Sequence, residues 1–262
     1  MSYKWARSAS RRDGRVRLKA IVSKTIVGET PPGVQIPLSP PGKLLMDKES
    51  IIRQTEEYVR KAMEGEGTGH DWWHVYRVWK NALHLCKEEH ADLFVVQLAA
   101  LLHDIADWKF NNGDDSVGPR LGREWLEKLQ VDEDVITHVC EIIKEVSFKG
   151  AGVKNQIKTR EGMVVQDADR LDAIGAVGIA RAFAYGGYKG REIYNPDIKP
   201  ERHDTFEQYK NKTGPSINHF YEKLLLLKDM MNTKTAKNIA GQRHQFMEMY
   251  LERFYKEWEG KD

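Results

Sequence analysis

The sequence predicts an all-α protein, a compact helical bundle. From Met46 onward apolar residues recur at spacings of three and four, no segment alternates as a half-buried strand would, and the longest apolar run follows a helix-capping residue, Asp92.

The elements follow in order. Ile51, Ile52, Thr55, Tyr58, Val59 and Met63 line one face of a first helix. Further helices are predicted at about 72–90, 92–107, 117–130, 132–147, 161–185, 214–231 and 233–258, the one near 92 capped by Asp92. The last carries Ile239, Arg243, Phe246, Met247, Tyr250, Leu251, Phe254 and Trp258 at helical spacing, which reads as core or as the face of a homodimer. The stretch from about 185 to 213 is broken by Gly186, Gly187, Gly190, Asn195, Pro196 and Pro200. It reads as a long loop, either a cover over a site or surface decoration. No internal repeat is present.

Residues 1–45 differ from the rest. Eight basic residues lie between Lys4 and Lys24 with Asp13 the only acid among them, and five prolines follow between Pro31 and Pro41. Such a stretch buries too little apolar surface to fix its backbone. It is expected to be a disordered basic, Pro-rich extension, read first as a solvated tail and alternatively as an organelle-targeting segment. Residues 46–262 form the expected helical domain.

Composition narrows the function classes. With 41 basic against 39 acidic residues there is no global charge to draw nucleic acid, and no aromatic-basic groove motif accompanies the basic tail. No apolar run is long enough to span a bilayer. Cys86 and Cys140 are too few and too far apart for a zinc knuckle or a disulfide framework. They read as small packing residues in a reducing, cytoplasmic setting.

Three clusters have the residue types for chemistry. His70 and His74 stand four apart at the start of a helix, with Asp71 between them, and such pairs are found on plain surfaces as well as at metals. His103 and Asp104 end the apolar run Leu98-Ala99-Ala100-Leu101-Leu102, with Asp107 on the same face. A carboxylate beside so apolar a helix needs a partner, and a metal ion would serve, unless the helix end opens to water. Asp167, Asp169 and Asp172 are flanked by Val164, Val165, Leu171 and Ile174. Asp169 and Asp172 share a helical face while Asp167 points elsewhere, and either a metal or a buried pair with Arg170 or Arg181 accounts for acids in that setting.

The order His, His-Asp, distant Asp resembles the HD-domain superfamily of metal-dependent phosphohydrolases, whose signature is H…HD…D on a helical bundle. Leu101-Leu102-His103-Asp104-Ile105-Ala106-Asp107 is the most specific piece of the likeness. The run from Gly69 to Val78 and the segment Ser216-Ile217-Asn218-His219-Phe220-Tyr221-Glu222-Lys223-Leu224 look like a small single-domain branch of that superfamily. That branch hydrolyses nucleotides, including triphosphates to monophosphate and pyrophosphate. The resemblance implies His74, His103, Asp104 and Asp169 as ligands of one divalent transition metal, with Mn first and Fe, Ni, Co or Zn as alternatives. It implies Asp107 as the acid that orients or deprotonates the attacking water. Lys109, Lys149, His219 and Lys223 are the candidates to meet phosphate charge. Some members bind a second metal through extra histidines, but Ile142-Ile143-Lys144-Glu145-Val146-Ser147-Phe148 contains none, so one metal is expected, and His138 is read as a surface or packing residue. A 5′-nucleotidase, a cyclic-nucleotide phosphodiesterase and a catalytically silent metal-containing module are the alternative readings.

Overall fold

A computed structural model describes residues 47–64, 71–106, 116–146, 157–201 and 214–261, and these are all-α, with no strand among them. Residues 1–46 lie outside the described residues, as do His70, Asp107, Lys109 and Lys149.

The first helix, α1 (Lys48–Ala62), starts where the Asp47 carboxylate accepts the amide of Ser50, and buries Ile51, Ile52, Thr55 and Val59. The second, α2 (Trp72–Glu89), is capped by Asp71, and α3 (Leu93–Leu102) by Asp92, which takes the amides of Phe94 and Val95. Eight of the ten residues of α3 are buried, so this helix has no wet face and must be enclosed. It is packed by α1, α2, α5 (Glu133–Val146) and α6 (Arg160–Asp172). The α4 helix (Val117–Lys128) lies along α5, and Trp125 on it stacks on Tyr58 of α1 while donating to Thr55 Oγ1. Cys86 and Cys140 are free thiols that donate to the carbonyls of Ala91 and Pro119, and burial pushes both thiols up, the inert packing state expected for them.

Two expectations are corrected. The helix expected over 161–185 is two helices, α6 and α7 (Gly175–Tyr188), split at Ala173 and Ile174. The second begins at Gly175 with φ +77°, a left-handed backbone that side chains resist. A Cβ at Gly178 would lie 2.2 Å from the Ala173 carbonyl oxygen, so the turn folds tightly over the start of α7. That helix also runs through Gly186 and Gly187, which are helical and not part of the expected loop. The helix expected over 214–231 is a short α8 (Asn218–Glu222) followed by a 3₁₀ helix at Leu224–Met230. Leu224 and Leu227 are its buried pair, and a spacing of three aligns on one face in a 3₁₀ helix.

The final helix, α9 (Lys234–Trp258), starts from Thr233 as cap. Met247 and Leu251 of its apolar stripe are buried, whereas Phe246 and Trp258 are exposed. The stripe is thus partly core.

Candidate metal centre

Three elements bring the signature residues together. His74 stands in the first turn of α2, its amide held by the Asp71 carboxylate at 2.9 Å. His103 and Asp104 follow directly on α3, so the buried rod that ends at Leu102 carries at its end the buried His103 and the partly buried Asp104. Asp169 lies on α6, whose most extensive neighbour is α2.

The ligand atoms of His74, His103 and Asp169 all lie within 4.8 Å of one another. His74 Nε2 is 3.3 Å from His103 Nε2, 3.5 Å from Asp169 Oδ1 and 3.5 Å from Asp104 Oδ2. Asp104 therefore reaches the group from the His74 side. Both imidazoles are buried, while the Asp169 side chain keeps 27% of its surface exposed, which leaves one edge of the cluster open.

The far nitrogen of each ring meets an oxygen. His103 Nδ1 is 2.9 Å from the Ala100 carbonyl, which can only accept, so the neutral ring carries its proton there. His74 Nδ1 is 2.8 Å from Asp172 Oδ2. Asp172 also accepts from Arg77 and pairs with Arg181 at 3.0 Å. Burial alone would push the Asp172 carboxyl up, but the hydrogen bonds from His74 and Arg77, with the charge of Arg181, outweigh it and hold the group well below the usual carboxylate range. Burial holds His74 below the ordinary imidazole range despite its acidic neighbours, so the ring is neutral near pH 7.

The acids of α6 divide by helical face. Asp167 turns away from the cluster and accepts from the backbone and side chain of both Asn232 and Thr233 at the start of α9. Arg170, three residues on, donates to the Met230 carbonyl. So Asp167 is a structural tie, and of the two arginines offered for these acids Arg181 is the one paired with Asp172. Arg77 was missed, although it lies three residues after His74 on the same face. His138, partly exposed on α5, lies 3.0 Å from Thr159 Oγ1 and stands apart from the cluster. His219 lies on α8 and Lys223 just beyond it, both half-buried, and the converging ligand atoms do not include them.

The chain is similar to known proteins over most of its length. Residues 72–174 match the HD domain. YpgQ of Bacillus subtilis is 40% identical over 217 residues, which cover 80% of this chain and 97% of that protein. Its crystal structure in complex with ADP superposes with a TM-score of 0.63 at 38% identity, covering 80% of this chain and all of that one, 100%. An HD-superfamily hydrolase of Bacillus thuringiensis gives a TM-score of 0.65 at 45% identity, covering 81% of this chain and 99% of its own.

Proposed function

The chain belongs to the HD-domain family of metal-dependent phosphohydrolases, and from that premise we propose that it hydrolyses nucleoside triphosphates to monophosphate and pyrophosphate at a single divalent cation held by His74, His103, Asp104 and Asp169.

One observation supports the cation above others. With both Nδ1 atoms committed to oxygen partners, the two Nε2 lone pairs face each other at 3.3 Å, and two carboxylates stand close by. Electron-rich atoms so arranged repel, and burial strengthens the repulsion. A divalent cation among them converts it into attraction. Two neutral imidazoles with two carboxylates suit Mn, Fe, Ni, Co or Zn, and Mn is favoured by the oxygen donors. Bound there, such an ion supplies Lewis-acid polarisation of a phosphoryl oxygen and lowers the pKa of a coordinated water.

The chain's own residues do the rest. Asp107 orients or deprotonates the attacking water, and Lys109, Lys149, His219 and Lys223 take phosphate charge that one cation leaves unneutralised. Water adds at the α-phosphorus, the bond to the bridging oxygen breaks, and pyrophosphate departs. The ADP held by YpgQ supports a nucleotide ligand. No helix among the described residues is long and apolar enough to cross a membrane, and the reading includes neither a membrane nor a nucleic-acid partner. It places the enzyme in the cytoplasm, with an organelle as the alternative, and admits a homodimer.

Purified protein incubated with ATP, dATP and other triphosphates in Mn²⁺ should yield monophosphate and pyrophosphate. Inorganic phosphate from monophosphates alone would leave a 5′-nucleotidase. Opening of cyclic nucleotides would leave a phosphodiesterase, and no turnover with metal bound would leave a binding module.

A further inference from the structure

Asp172 lies outside the four proposed ligands, yet its side chain is only 2% exposed and four donor atoms point at it. Arg77 Nε reaches Oδ1 at 2.6 Å, while Arg77 Nη2, Arg181 Nη1 and His74 Nδ1 reach Oδ2 at 3.1, 3.0 and 2.8 Å. Guanidinium groups only donate and a carboxylate only accepts. The clamp therefore leaves Oδ2 no choice but to accept from His74, which puts the ring proton on Nδ1 and the lone pair on Nε2, the nitrogen that faces His103, Asp104 and Asp169. The two histidines are set differently. His103 is fixed by a main-chain carbonyl that no side-chain substitution removes, whereas His74 depends on one carboxylate.

We infer that Asp172 is a positioning residue for the metal centre: clamped by Arg77 and Arg181, it fixes the tautomer and tilt of His74 and so sets the affinity of the site for its cation. The inference rests on the reading of this cluster as a metal site. Asparagine at 172 cannot reproduce the clamp. If its oxygen stays toward His74, its NH₂ opposes the Arg77 Nε proton. If it rotates, the NH₂ meets His74 Nδ1 and drives the ring proton onto Nε2, where it blocks the ligand position.

The test uses the full chain and Mn²⁺ alone. Metal-free protein labelled with ¹⁵N-histidine should show His74 in the Nδ1–H form, its signal assigned by loss in His74→Gln. The wild-type measurement needs no folded variant at position 172, and an Nε2–H form would overturn the inference. In Asp172→Asn Mn²⁺ affinity should fall by about 10–100-fold, the range for losing a carboxylate behind a metal-bound histidine, with the His74 tautomer shifted wherever the amide presents its NH₂ to Nδ1. A purely structural Asp172 would lower the melting temperature yet leave the His74 tautomer and the Mn²⁺ affinity of the folded protein unchanged, and that result would also overturn it. Should wild-type protein keep the Nδ1–H form and bind no Mn²⁺, the metal reading fails, and the affinity claim with it, while the tautomer assignment stands.

Discussion

At the scale of single residues, Asp169 and Asp172 sit one turn apart on α6 and meet opposite sides of the same imidazole. Asp169→Ala should therefore abolish bound metal while helicity stays largely intact, read by elemental analysis and circular dichroism. Undiminished metal would exclude Asp169 as a ligand. Asp107→Asn should lower turnover by about 10²–10⁴-fold with metal content kept, as for loss of a general base. Loss of the metal instead would make Asp107 a ligand. His74 gives a pH test on metal-free protein. Unfolded, it takes a proton near pH ~6.5, but burial keeps the folded ring neutral below that. The unfolded state then binds more protons, so this contribution is intact above about pH 6.5 and declines as pH falls toward the lower folded value. Unfolding free energies measured from about pH 7.5 to 5 should fall less steeply in His74→Gln, and equal slopes would refute the assignment. The His103-Asp104 pair was legible because an apolar run ending in a carboxylate demands an explanation. The separation of Asp169 from Asp172 was not, because helical spacing puts both on one face and only the docked α2 tells which ring nitrogen each meets.

Among the elements, α6 is fastened at both ends. Thr159 caps its start, and in its last turn the Leu171 carbonyl accepts from Arg243 of α9. In between, Asp167 supplies the anchor for the first residues of α9. Asp167→Ala strips buried amides and a hydroxyl of their acceptor and should cost more than about 2 kcal/mol in denaturant unfolding, as losses of buried networks do. A change under half of that would show that water replaces the carboxylate. Gly175→Ala should cost about 1–2 kcal/mol, since φ +77° disfavours a side chain, and the new Cβ would come 3.0–3.2 Å from the Arg243 side chain. Caps and apolar periodicity revealed most helices. The break at 173–174 was signalled only by a glycine within a helical pattern, which more often passes without one. The 3₁₀ segment was hidden because Leu224 to Leu227 are apolar throughout, a run that suits either winding.

For the whole molecule, residues before about 46 are proposed to take no part in folding or chemistry. A chain beginning at Met46 should keep its melting temperature and turnover, and a large fall in either would mean that the tail docks on the helices. The all-α class was readable from periodicity alone. The assembly of the centre was not, because its parts are remote in sequence: His74 and Asp172 stand 98 residues apart, and Asp167 lies 66 residues from Thr233.

That separation gives the protein a timetable. Ribosomes deliver the N-terminus first, so both imidazoles and Asp104 leave the exit tunnel well before the acids of α6. Those acids in turn wait for residues 232–243 before Asp167 and the Leu171 carbonyl find their partners. A nascent chain presents half a centre, with His74 still free to tumble between its two tautomers. On the proposed metal reading, an ion met at that stage would find two imidazoles and one carboxylate, and the full set of ligands would await the last helix.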